Sequence, residues 1–181
     1  MRVVAIDGPA ASGKSSTARA VARAIGFHHL DSGALYRALT RVALDAGLDP
    51  ARLDVSRLLS LAERRGLGLR PDGEDFVPLL DGAPAEDRIR TPEVTAAVSA
   101  VSAVPEIRDW ANARMRALAE AGVPVVVDGR DIGSVVFPEA GLKVFLSATP
   151  LVRAMRRLAQ RGEAASDADL RAEAARLQAR D

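Results

Sequence analysis

The chain has 181 residues, 48% hydrophobic and 27% charged, with a formal net charge of +1 and no cysteine. This is enough for one well-cored domain, and it excludes disulfides, thiolate nucleophiles and Cys-type zinc sites. Arg is interleaved with Asp and Glu along most helix-like stretches, so no clustered basic face for nucleic acid is expected. No apolar run approaches the ~20 residues of a membrane span, and no leader pattern opens the chain. The expectation is a cytoplasmic, monomeric protein without nucleic-acid or membrane partners.

Taken in chain order, Arg2 to Asp7 (RVVAID) reads as a buried strand. Gly13 to Ile25 has helical spacing, closed by Gly26. Phe27 to Leu30 predicts a second strand, Gly33 to Ala46 a helix, and Val55 to Arg65 a helix capped by Asp54. Between Gly66 and Arg90 the PDG and LDG turns predict a small antiparallel hairpin insert. Helices are expected at Pro92 to Val101 and Pro105 to Ala121, then a strongly apolar strand at Val123 to Val127 running into Asp128 and Gly129. A last strand at Leu142 to Leu146 precedes Arg-rich helices at Pro150 to Gln160 and Asp167 to Ala179. Alternating strands and helices indicate an α/β fold with a parallel sheet.

The residues Gly8, Pro9, Ala10, Ala11, Ser12, Gly13, Lys14 and Ser15 fit the phosphate-loop pattern without deviation, and Ser16 continues the turn. They also lie between a strand and a helix, as that chemistry requires. The glycines let successive N–H groups point inward around phosphate oxygens, and the helix N-terminus adds its positive end. Lys14 is one of only two lysines in a chain that otherwise uses arginine. A compact ammonium fits the cradle around β- and γ-phosphates; a flat guanidinium does not. Ser15 is placed to join Mg²⁺ coordination. The expected ligands are therefore a nucleoside triphosphate and Mg²⁺. A GTPase would need an N-K-x-D base reader, but the only Asn, Asn112, is followed by Ala. A small-molecule kinase suits the length best.

Two further stretches supply acceptor-side candidates. LDSGALYR offers Ser32, Tyr36 and Arg37 along one helical face, though by itself it reads equally as a core tyrosine beside a solvated arginine. In VVVDGRDIG, Asp128 ends a buried strand where a Mg²⁺-water ligand belongs. Arg130 can clamp phosphates, and Asp131 can accept from an amino group or ribose hydroxyl. A strand ending in a simple Asp-Gly turn is the plain alternative. His28 and His29 receive no role. With no evident general base, the pattern favours an acceptor that is itself a phosphate, since a dianionic phosphate needs no proton removed.

GPAASGKSS, LDSGALYR, IRTPEV and DGRDIGSVVFP, in this order, resemble the bacterial cytidylate kinases of the nucleoside monophosphate kinase superfamily. The resemblance implies a three-layer P-loop kinase fold with a parallel sheet, helices on both faces, a monophosphate-binding insert near 66–90 and a helical lid near 150–170. It implies transfer of the γ-phosphoryl group of ATP to CMP or dCMP. By match, Lys14, Asp128 and Arg130 would be catalytic, and Ser15 and Asp128 would face the metal. Ser32, Tyr36, Arg37, Ser99, Arg108, Arg130, Asp131 and Arg180 would line the CMP site. Arg153, Arg156, Arg157 and Arg161 would belong to the lid, although each also reads as part of a solvated basic face. The family pattern continues past Asp181 with further Arg and Asp residues, a strand and a helix, so a longer natural protein is expected.

Overall fold

A computed structural model describes residues 2–162 and 166–179. The strands are β1 (Val3–Asp7), β2 (His28–Asp31), β3 (Gly68–Asp72), β4 (Asp75–Leu80), β5 (Ala83–Pro84), β6 (Val125–Gly129) and β7 (Leu142–Phe145). The helices are α1 (Lys14–Ile25), α2 (Ser32–Asp45), α3 (Val55–Arg64), α4 (Glu86–Ile89), α5 (Pro92–Ser102), α6 (Pro105–Glu120), α7 (Pro150–Gln160) and α8 (Asp167–Gln178).

Among the described residues, one sheet runs in the order β3-β4-β2-β6-β1-β7, with β5 beside β4. Strands β2, β6, β1 and β7 are mutually parallel, whereas β3-β4 and β4-β5 are antiparallel. The hairpin expected between Gly66 and Arg90 therefore forms. It does not stand apart from the sheet but extends it, through the parallel pairing of His29 with Asp75 and a 2.7 Å bond from the His29 N–H to the Glu74 carbonyl.

Alternation along the strands divides the core into two layers. Val3, Ala5, Val125 and Val127 pack into the larger cluster with Leu35, Leu39, Ile107 and Met115 from α2 and α6. Val4, Ile6 and Val126 face Ala18 and Ala22 of α1. Alanines on α1 let that helix lie close to the sheet, and this brings its first turn to the carboxyl ends of β1 and β6. The last two helices form a third cluster through Ala154, Ala174 and Leu177, against which Ala10 and Ala11 rest.

Most boundaries move by a residue, and the shifts of two strands have identifiable reasons. Strand β2 runs from His28 to Asp31, one residue later than expected, because the His28 N–H bonds the Pro124 carbonyl and Asp31 aligns with Asp128. Strand β6 starts at Val125, because the Val123 N–H still bonds Leu118 at the end of α6. The short helix α4 and a wide helical turn over Ile132–Val136 were not anticipated. That turn is anchored by the Asp7 carboxylate, which accepts from the N–H groups of Ile132 and Gly133 at 2.6 and 2.8 Å.

Leu39 lies fully buried in the larger layer. Replacing it with Ala should cost about 2–5 kcal/mol through lost burial and a residual cavity. Urea unfolding checks this, and a cost below about 1 kcal/mol would contradict the core assigned here.

Candidate active site

The loop from Gly8 to Gly13 leaves β1 and turns directly into α1. Gly8 has φ 151°, and a Cβ there would lie 2.0 Å from the Leu146 carbonyl oxygen, so only glycine fits between the loop and the chain after β7. Ala11 is held at φ 58°, a left-handed conformation costing roughly 1–2 kcal/mol, with its methyl against the α7-α8 cluster. Lys14 Nζ donates to the Pro9 carbonyl at 2.7 Å, folding its ammonium back across the loop. Beside the loop opens a cavity of about 650 Å³, lined among others by Ser12, Gly13, Thr17, Leu146, Arg156 and Gln160.

Asp128 ends β6 next to this loop and is almost fully buried. Its Oδ2 accepts the Ser15 hydroxyl at 2.8 Å, and its Oδ1 contacts His29 Nε2 at 2.7 Å. The other ring nitrogen, Nδ1, lies 2.6 Å from Asp75 Oδ1, which also accepts from Arg19 Nε at 3.1 Å. Burial alone would lower the His29 pKa; the bonds and charges of Asp128 and Asp75 outweigh it and hold the pKa above its ordinary value. For Asp75, partial burial is outweighed by His29 and Arg19, which hold its pKa below the usual carboxylate range. His29 was given no role from sequence, yet it sits at the centre of the site. His28 packs edge-on against Phe76, with ring centroids 5.4 Å apart.

A second set of groups lies across the ends of β2 and β6. Asp31 caps α2 by accepting from the Gly33 N–H at 2.9 Å, and its other oxygen takes Arg37 at 2.9 Å and Arg90 at 3.2 Å. Burial pushes the Asp31 pKa up, but the two guanidinium groups prevail and bring it down. Ser32 donates to the Asp128 carbonyl at 2.7 Å, tying the start of α2 to the end of β6. Arg108 is ion-paired with Asp131. Both groups, with Asp109, act on the field at Tyr36, whose pKa is raised chiefly by burial. Arg130 is exposed at the end of β6, and Ser99 is exposed on α5.

The structure thus brings Ser32, Tyr36, Arg37, Arg108 and Asp131 around the same strand ends. On α7, Arg153 and Arg156 donate to the Ala10 and Ser12 carbonyls at 3.2 and 2.6 Å, which docks that helix on the phosphate loop. Arg157 lies half-buried on the same helix, and Arg161 reaches the buried Glu173 of α8 at 3.5 Å. Arg180 lies outside the described residues. Sequence reasoning missed His29, Asp75, Asp31, Arg90 and the bracing role of Asp7. No local signal marks His29, because its partners Asp75 and Asp128 lie 46 and 99 residues away.

The oxygen donors beside the loop fit a hard divalent cation. Among the described residues no group of three or more His, Cys, Asp or Glu side chains forms a cage. One hydroxyl and one carboxylate are what Mg²⁺ uses when water and nucleotide phosphates supply its other ligands.

A strand-loop-helix phosphate cradle at the carboxyl ends of a mostly parallel sheet, with an aspartate facing its serine, defines a P-loop kinase class. The sequence model of the cytidylate kinase family matches residues 4–181. The cytidylate kinase of Thermus thermophilus is 48% identical over 162 residues, covering 90% of this chain and 76% of that protein. That of Symbiobacterium thermophilum is 45% identical over 181 residues, covering 99% and 78%. That of Mycobacterium avium is 43% identical over 179 residues, with 99% and 78% covered. This chain belongs to the cytidylate kinase family.

Because no Cβ can pass the Leu146 carbonyl, Gly8→Ala must displace the loop. ATP affinity, measured by calorimetry, should fall by at least about tenfold, the equivalent of 1.4 kcal/mol. Unchanged affinity would contradict the loop geometry.

Proposed function

We infer that the chain transfers the γ-phosphoryl group of ATP to CMP or dCMP, giving ADP and CDP or dCDP, within pyrimidine nucleotide metabolism. The observation that carries this reading is the juxtaposition of the phosphate cradle and the Ser15–Asp128 pair with two arginine-carboxylate sets at the same strand ends.

On the donor side, the backbone from Gly8 to Ser16 cradles the ATP phosphates. Lys14 leaves the Pro9 carbonyl to neutralise charge on the transferring group. Ser15 and Asp128 would hold Mg²⁺, which supplies charge neutralisation at the phosphate oxygens when bound. The Ser15 proton is directed at Asp128, so the hydroxyl lone pairs remain available to the cation.

On the acceptor side, Arg37 meets the monophosphate, with Ser32 and Tyr36 lining its site. Ser99, Arg108 and Asp131 address the cytosine ring, and Arg130 bridges the two phosphates; Arg180 would add to this site. The Asp31 and Asp131 carboxylates hold Arg37 and Arg108 in place before substrate arrives, so less ordering is required on binding. His29 is engaged by carboxylates at both ring nitrogens and is not available as a general base. A phosphate acceptor, largely dianionic at neutral pH, has no need of one.

The hairpin would act as the monophosphate-binding insert, and Arg153, Arg156, Arg157 and Arg161 as lid residues that follow the loop. No helix among the described residues is long and apolar enough to cross a membrane. We place the protein in the cytoplasm, as a monomer.

Lys14→Ala should reduce kcat/KM for CMP phosphorylation by about a thousandfold or more, because a charge at the transferring phosphate is lost. A coupled ADP-release assay with a thermal melt as control checks this. Retention of more than about a tenth of the activity would contradict the role given to Lys14.

A further inference from the structure

The side chains around Asp128 form a closed ring that starts and ends on one helix. Ser15 on α1 donates to Asp128 on β6; Asp128 contacts His29 on β2; His29 contacts Asp75 on β4; Asp75 accepts from Arg19, again on α1. Ser15 and Arg19 are four residues apart and share a helix face. We propose that His29 is a positioning residue that fixes the Asp128 carboxylate for the phosphate-bound cation, with Asp75 of the hairpin holding the imidazole in turn. The proposal rests on the kinase reading of the site and adds a residue to it.

Three observations carry it. Both Asp128 oxygens are engaged, one from each side, so rotation of the carboxylate about its Cβ–Cγ bond is blocked. The His29 side chain is 2% exposed and that of Asp128 4%, so water is not at hand to replace either partner. The imidazole itself is held at both nitrogens, and Asp75 is the strand neighbour of His29, so backbone pairing and side-chain bond fix the same geometry.

Partners that orient metal ligands in this way are worth about 10–100-fold in metal affinity when removed. Without the His29 donor, one Asp128 oxygen is left unsatisfied in a nearly dry site. The carboxylate is then free to turn about its Cβ–Cγ bond, and the oxygen facing Ser15 is misplaced.

The test measures how much more tightly ATP binds in Mg²⁺ than in EDTA, by calorimetry and without any acceptor. His29→Leu is expected to reduce this gain by about tenfold or to erase it, while affinity in EDTA stays within about twofold. His29→Gln, whose amide can still donate to Asp128, is expected to keep most of the gain. A merely structural histidine would lower the melting temperature in both variants and leave the gain unchanged, which would overturn the proposal. Equal losses of the gain in the Leu and Gln variants would overturn it too. If His29→Leu does not fold, Asp75→Ala decides: a reduced gain supports the proposal and the parent's gain overturns it. Failure of the parent protein to bind ATP at all would overturn the kinase reading and this inference together. Normal parent binding with insensitive variants would overturn the inference alone.

Discussion

The parallel register of three strands is the constraint on which the rest depends. Ile6 and Asp31 both align with Asp128, so β1, β6 and β2 end at the same level. Parallel strands send their following loops off the same edge, which is why ligands of such sheets bind there. The phosphate loop after β1, the α2 cap after β2 and the Gly129–Asp131 segment after β6 are thereby brought together. Asp7, Asp31 and Asp128, one at each strand end, take different work. Asp7 braces the turn at Ile132 and Gly133, Asp31 gathers two arginines, and Asp128 faces Ser15.

Charge is used here mainly for position. Exposed ion pairs such as Arg23–Glu74 contribute little to stability. The pairs at the strand ends are better shielded, and they hold guanidinium groups at fixed places in a site that must bring two phosphates together. Arginine suits that task because its planar fork keeps an orientation; the compact ammonium of Lys14 suits the cramped loop. The hairpin is tied down in a similar way. Arg65 donates to Asp81 and Asp45 at 2.6 and 2.8 Å, and Arg88 reaches Asp81 at 3.1 Å, which links α2, α3 and the hairpin turn.

What could be read in the sequence was whatever the chain encodes locally. The phosphate loop is eight consecutive residues, and its strand-loop-helix setting follows from adjacent periodicity. The helices were legible through the cap at Asp54, the proline at the start of α6 and stops such as Gly26. The α/β class followed from alternation. Asp31 stood inside a quoted motif but was overlooked, because as a helix cap it already had a sufficient local explanation. His29 was out of reach for a different reason. Its partners lie 46 and 99 residues away, and only the strand order puts β4 and β6 on either side of β2. The attachment of the hairpin to the main sheet was hidden for the same reason, since the single His29–Asp75 pairing leaves no trace in local composition.

The central claim is that this site moves a phosphoryl group from ATP to a cytidine monophosphate, and product identity tests it most directly. The chain would be incubated with ATP and Mg²⁺ against CMP, dCMP, UMP, AMP, GMP, TMP and shikimate, with nucleotide products resolved by chromatography. The account predicts CDP and dCDP as the dominant products, formed in step with ADP. Preferential phosphorylation of a purine monophosphate or of shikimate would contradict it, as would ADP release without any phosphorylated acceptor.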